Sequence, residues 1–206
     1  MPEPTRSAVA TSEHSSLAVG WSNDRSVEHG SNATPSEIVI LLVRLAVGVT
    51  FTAHGAQKVF GWWDRPGFAK WSGGIARMGL RPAWLWAAIS AGVEFLGGLL
   101  LVLGLLTPLA SALVAAQSIY IVLKVHLPRG SWSGKGGIEF PLQLLAGSLL
   151  IVAAGPGAVA LDCALGLDLG TTTRGAVLAI AVAGALVAMA IARPQPQPAP
   201  QPERPT

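Results

Sequence analysis

The sequence predicts an all-α fold: a polytopic membrane helix bundle with a four-helix core and a fifth transmembrane helix following it. Two features of composition and one of pattern carry that reading. Of the 206 residues, 51% are hydrophobic and only 12% are charged, where a soluble domain carries about 25% charge. Mean hydropathy is correspondingly high, at +0.52. The apolar residues fall in long runs rather than in amphipathic stripes, and a run of about 18 or more with few charges is long enough to cross a bilayer. The net charge of +3 does not argue for nucleic acid, because Lys and Arg cluster in short connections beside the apolar runs, where anionic headgroups attract them. Membrane lipid is the expected surrounding, and no nucleic-acid partner is expected.

Residues 1–36 are rich in Ser, Glu, Asn and Thr, lack an apolar core, and read as a disordered tail. No apolar stretch follows a basic start there, so the tail does not read as a secretory signal. The four-helix membrane domain is expected over 37–162. Its first span, 37–61, contains LLVRLAVGVTFTAHGAQKVFG and so places Arg44, His54, Gln57 and Lys58 inside a bilayer-crossing segment. The connection that follows mixes Trp62, Trp63 and Trp71 with Arg65, Lys70, Arg77 and Arg81, a combination suited to the headgroup layer, where aromatic rings and cations both settle.

The second span, 82–106, is interrupted only by Glu94, and Gly92, Gly97, Gly98 and Gly104 permit close helix approach. Thr107 and Pro108 form so short a turn that the third span, 109–127, must return antiparallel beside it. Its polar members are Gln117, Tyr120, Lys124 and His126. After a loop over 128–137 the fourth span runs over 138–154, with Glu139 and Pro141 in its first turn and Gln143 one turn on. Proline is tolerated there because first-turn amides have no intrahelical acceptor. Residues 163–192 supply a connection and the fifth helix: about 18 apolar residues from 175 to 192 make roughly 27 Å of helix, close to the thickness of a hydrocarbon core, the alternative being a helix packed along the bundle. The PQPQPAPQP repeat within 193–206 reads as an extended, disordered tail. Counting Lys and Arg in the connections puts the N-terminus outside and the C-terminus in the cytoplasm.

The charges inside the spans are the functional signal. A charged side chain at the bilayer centre costs about 2.5 to 3.5 kcal/mol on insertion scales, so it usually faces a bundle interior or a cavity where a partner offsets that cost. Arg44 and Lys58 also lie close enough to opposite ends of the first span to snorkel. His54, Gln57 and Lys58, three and four apart, stand on one helix face, with Arg44 within about 40° of Lys58. Glu94 is the expected neighbour of that strip, since an isolated carboxylate at mid-span must be neutralised or paired. Gln117 and Lys124, seven apart, share a face of the third span, as Glu139 and Gln143 do in the fourth. Interhelical polar contacts in membranes average only about 0.6 kcal/mol and can serve helix register alone. Register needs one pair, however, whereas a buried His, Lys and Glu set can bind a polar headgroup and relay protons. The lone cysteine, Cys163, excludes a thiol pair or an all-thiolate cluster within one chain and is expected to be a small apolar filler.

The strings LVRLAVGVTFTAHGAQKVFGWW, AGVEFLGGLLLVLGLLTPLA and KVHLPRGSWSGKGGIEFPLQLLAGSLL, in this order and spacing over 40–162, resemble the DoxX family of small bacterial integral membrane proteins. The tails and the fifth helix lie outside that resemblance. It implies a four-helix membrane bundle related to a subunit of a thiosulfate:quinone oxidoreductase, hence quinone-linked redox work in the cell membrane, alongside soluble redox enzymes as partners; a homo-oligomer is the other partner the chain leaves open. The positions it marks are Arg44, His54, Gln57, Lys58, Glu94, His126 and Glu139. In that reading His54 or Lys58 donates to a quinone oxygen, Glu94 delivers the proton, and Arg44, Gln57, Gln117, Lys124, His126 and Glu139 complete the binding set, while Tyr120 and Trp132 are candidates to flank the ring. Neither haem nor metal is expected, because paired axial histidines sit at similar depth whereas His126 lies near a span end. The competing class is a non-catalytic membrane scaffold that recruits soluble redox enzymes, since the chain has no dinucleotide fingerprint and no thiol pair.

Overall fold

The computed structural model describes residues 34–63, 67–167 and 169–193. The tails expected over 1–36 and 193–206 lie outside the described residues, apart from 34–36 and 193. All regular structure among the described residues is helical.

Helix α1 (Pro35–Phe60) starts from a capping box: the Glu37 amide donates to the Thr34 hydroxyl at 3.4 Å, and the Thr34 amide donates to the Glu37 carboxylate at 2.7 Å. It stops at Gly61, whose φ of 73° suits a residue without a Cβ. The short α2 (Gly67–Arg77) follows. Helix α3 (Ala83–Leu103) contains a π-helical turn over Val93–Gly97. Helix α4 (Thr107–Arg129) contains another over Ile121–His126 before its last turn tightens to 3₁₀. Helix α5 (Glu139–Ala154), the one-turn α6 (Leu161–Ala164) and α7 (Thr171–Ile191) complete the chain.

Helices α1, α3, α4 and α7 have 26, 21, 23 and 21 residues, enough at 1.5 Å per residue for a core of about 30 Å. The fifth apolar segment, at 21 residues, thus equals α3 in length. With 16 residues, α5 reaches only about 24 Å and is the short member. The protein is a multi-pass integral membrane helix bundle.

The core of the bundle is built by Val47 and Phe51 of α1, Leu101 of α3, Ala110 and Val114 of α4, and Ile151 of α5. Helices α1 and α3 touch through their backbones: a Cβ on Gly48 would stand 2.8 Å from the Gly98 carbonyl, and one on Gly98 would stand 2.7 Å from the Gly48 carbonyl. A second cluster joins Ile75, Leu80 and Ala87 to Ala188 of α7, with Trp71, Trp86 and Tyr120 packed around it. Helix α7 is also tied at both ends, since Arg193 N donates to Gly79 O at 3.2 Å and Arg174 Nη1 donates to Ala153 O at 3.3 Å. It therefore runs the full height of the bundle.

At the end where α3 turns into α4, a buried clasp holds the connection over 155–167. Arg44, 2% exposed, donates to Pro156 O and Val159 O. Asp162 accepts from Leu106 N at 2.6 Å and Thr107 N at 2.7 Å, and its own amide donates to Gly104 O at 2.8 Å. Leu106 has a left-handed φ of 48°, a conformation disfavoured for a side chain with a Cβ, and the Asp162 carboxylate is what holds it there. Cys163, next in the chain, is exposed rather than an apolar filler, because α6 turns it away from this clasp.

Candidate functional site

Glu94 sits in the π-helical turn of α3 and is 1% exposed. A carboxylate so placed requires compensation, and it receives it from two helices. Lys58, near the end of α1, forms an ion pair with Oε1. Gln117 of α4 donates to the same oxygen at 2.6 Å and lies 3.2 Å from Ser90 O and 3.3 Å from Ser90 Oγ. Helix α2 supplies a further partner: Lys58 Nζ stands 3.9 Å above the centre of the Trp71 ring, a cation–π contact. Four helices thus meet at one charge pair. Two polar atoms in this cluster, Glu94 Oε2 and Trp71 Nε1, are buried without a hydrogen-bond partner among the described residues.

A cavity lies on each side of the pair. The larger, 410 Å³, lies between α2, α3, α4 and α7 and is partly open; Trp71, Trp86, Met78 and Ile180 are among its apolar walls, and Lys58, Ser90, Gln117 and Tyr120 are its polar members. The smaller, 240 Å³, lies between α1, α4 and α5 and is lined by Glu94, His54, His126, Ser118 and Phe140, among others. Lys58, Trp71, Met78, Ile121 and Val125 line both cavities and form their shared wall.

Of the residues marked in the sequence, Lys58, Glu94 and Gln117 come together directly, and His54 and His126 join them around the smaller cavity. The remainder do not. Arg44 points the same way as Lys58 around α1, but fourteen residues separate them, about 21 Å along the axis, and Arg44 is engaged in the carbonyl clasp at the other end. His54 is exposed, with Nδ1 2.8 Å from its own helix's Thr50 O, and Gln57 lines neither cavity. The strip over 54–58 therefore does not face a single neighbour: Gln57 lies about 100° from Lys58 on the helical wheel.

Lys124 is exposed. The π turn inserts about one extra residue between Gln117 and Lys124, and that rotates the lysine off the glutamine's face. The same rotation carries His126 inward, where Nδ1 meets Gly136 O at 2.6 Å. Glu139 and Gln143 are exposed too, and the Glu139 carboxylate accepts from Ser133 N at 3.0 Å, closing the loop before α5. Tyr120 lines the larger cavity, whereas Trp132 is 72% exposed and lines neither. The site residues missing from the sequence reading are Trp71 and Ser90. Their signal is indirect: Ser90 precedes Glu94 by one turn on the same face, and Trp71 is the single aromatic at the centre of α2.

The matching family model is DoxX, over residues 39–127. The uncharacterized membrane protein Rv3486 of Mycobacterium tuberculosis is 28% identical over 133 residues, which is 60% of this chain and 78% of that protein. A Bacillus subtilis protein named "Putative oxidoreductase CatD" is 32% identical over 126 residues, 61% of this chain and 86% of its own length. The chain belongs to the DoxX family. No solved structure matches it. In this DoxX protein the matched stretch contains Lys58, Trp71, Ser90, Glu94, Gln117 and His126, and ends at residue 127, just past the π turn of α4. Helices α5 and α7, which wall the two cavities, lie beyond it.

Proposed function

We propose that this DoxX protein is a quinone-linked membrane oxidoreductase, or the quinone-binding subunit of a membrane redox complex. The observation that carries this reading is the buried Glu94 carboxylate, paired with Lys58 and Gln117, beside an apolar cavity whose walls include Trp71 and Trp86. The oxidoreductase name given to CatD is in keeping with it.

The residues fit a quinone headgroup. A flat ring with two carbonyl acceptors and an apolar tail calls for aromatic faces, one or two donors and a greasy exit, and the larger cavity offers Trp71 and Trp86, the Lys58 ammonium, the Tyr120 hydroxyl and the small residues of α7. A bound quinone would supply two-electron, two-proton chemistry. Lys58 holds positive charge where negative charge would grow on an oxygen, and its contacts with Glu94 and the Trp71 ring keep it there. Gln117 fixes the Glu94 carboxylate through Oε1. In this reading Glu94 carries the proton, with Lys58 and Gln117 between its carboxylate and the larger cavity. Lys58, which lines the cavity, takes the donor role considered for His54, which lines only the smaller one.

Two measurements test the reading. Titration of the purified protein with a short-chain quinone analogue should quench tryptophan fluorescence saturably, with the quench reduced in Lys58→Met. Lipid extracted from the purified protein should contain quinone above the level of the surrounding membrane. Absence of both would leave the scaffold that recruits soluble redox enzymes as the better account.

A further inference from the structure

We propose that the smaller cavity is a water-filled vestibule that connects the free oxygen of Glu94 to the aqueous phase at the His126 end of the bundle, giving the carboxylate its own proton supply. The inference rests on the reading of Glu94 as the proton-carrying group and adds the route by which the proton arrives.

Three observations carry it. The carboxylate is divided between two environments: Oε1 is taken by Lys58 and Gln117, while Oε2 is buried and unpartnered in a residue that lines the smaller cavity. A buried carboxyl oxygen left without a hydrogen-bond partner is disfavoured, so a partner is called for there. The cavity also has polar members on three helices, His54 on α1, Glu94 on α3 and His126 on α4. Each imidazole has Nδ1 against a backbone carbonyl, Thr50 O for His54 and Gly136 O for His126; a carbonyl can only accept, so Nδ1 carries a proton and Nε2 is the nitrogen left for another partner. Two imidazoles and one carboxylate, all lining the same space, offer an ordered water the two to four polar partners it needs. At 240 Å³ the space takes several waters, each needing about 10 to 15 Å³ of probe-occupied volume. Finally, the cavity lies at a bundle end: His126 is in the last turns of α4, and Phe140 and Pro141 are in the first turn of α5.

The charged and titratable groups around Glu94 are Lys58 and His54 from α1 and His126 from α4. Trp71 of α2, Met78 just after it, and Phe140, Pro141 and Leu144 of α5 line the cavity, none of them charged. The step is a reversible acid–base exchange: a hydronium that enters from the aqueous phase breaks an O–H bond to become water as an O–H bond forms at Oε2, and the reverse step returns the proton to water. The larger cavity is lined by Lys58 and Gln117 but not by Glu94, so a lipid-soluble ligand there meets the partners of the carboxylate while the proton reaches the carboxylate itself from the other side.

Cysteine accessibility in a Cys163→Ser background tests this without an assay of activity. Ser118→Cys and Leu144→Cys place thiols in the smaller cavity, on α4 and α5, so that failure of one variant to fold leaves the other. Ala185→Cys places a thiol on the α7 wall of the larger cavity. Ser133→Cys, in the exposed loop before α5, reports the side of the membrane. A charged, membrane-impermeant methanethiosulfonate should label Ser118→Cys and Leu144→Cys from the side that labels Ser133→Cys, and His126→Trp should abolish the labelling. The vestibule is overturned if both thiols react only with a lipid-soluble maleimide, or react with the charged reagent from the opposite side. Labelling of Ala185→Cys by the charged reagent would instead count against the lipid-soluble ligand, leaving the vestibule standing.

Discussion

At the scale of single residues, Glu94 separates a site from a structural brace. Removing one partner of a buried ion pair costs about 3 to 5 kcal/mol in soluble proteins, because the other charge is stranded. Here Lys58 lies two residues from the end of α1, and its long side chain can turn its ammonium toward the headgroup layer. Glu94→Gln is therefore expected to abolish quinone-linked turnover and weaken analogue binding while the melting temperature, measured in detergent, stays close to that of the parent. A melting temperature that falls in step with activity would make Glu94 a brace. Asp162 should behave oppositely. Its carboxylate holds two backbone amides at 2.6 and 2.7 Å, and hydrogen bonds to a charged group contribute about 1.5 to 3 kcal/mol each, so Asp162→Ala should lower the melting temperature steeply with analogue affinity per folded molecule unchanged. The Lys58–Glu94 pair was legible in the sequence because each mid-span charge requires a partner and few are available. Trp71 was not, since a tryptophan beside a span reads as an interfacial anchor, and only the fold of α2 over the end of the bundle turns it onto Lys58.

At the scale of elements, what the sequence conveyed and what it hid divide along helix regularity. Spacing at 100° per residue places Glu94 and Gln117 correctly, because both precede or open the π turns. Beyond Ile121 the same rule fails, sending Lys124 outward and His126 inward, since an added residue in a helical turn leaves no mark in hydropathy. The glycines were readable: Gly98 permits the approach of α1 and α3, although its counterpart, Gly48, is visible only once the two helices are laid together. Gly48→Ala puts a methyl group 2.8 Å from the Gly98 carbonyl, a contact that must push the helices apart, and overpacking of this kind costs about 1 to 3 kcal/mol. The expected result is a lower melting temperature together with a weakened Lys58–Glu94 contact, since the seam and the ion pair share the same two helices. Unchanged stability in detergent would mean that the α1–α3 seam is looser than this packing.

For the whole molecule, the question is how many times the chain crosses and which end faces which compartment. Five helices in an antiparallel sequence put the start of α1 and the end of α7 at opposite ends of the bundle, and the α7 contacts at Gly79 and Ala153 fix its direction. The charges follow the same axis. Lys70, Arg77, Arg81, Arg129, Lys135 and Arg193 flank the end that holds the Lys58–Glu94 pair, while the opposite end offers Arg174 and the buried Arg44. Basic connections are retained in the cytoplasm, so the site and the mouth of the proposed vestibule are expected at the cytoplasmic end, with Pro35 toward the outside. In a Cys163→Ser background, an impermeant thiol reagent applied to intact cells should label Ser36→Cys and spare Ala192→Cys, and inverted vesicles should reverse the pattern. Labelling of both from one side would mean that one helix, most simply the 16-residue α5, does not cross. The reversed pattern would keep five crossings and place the site at the outer face, where protons would enter Glu94 from outside the cell.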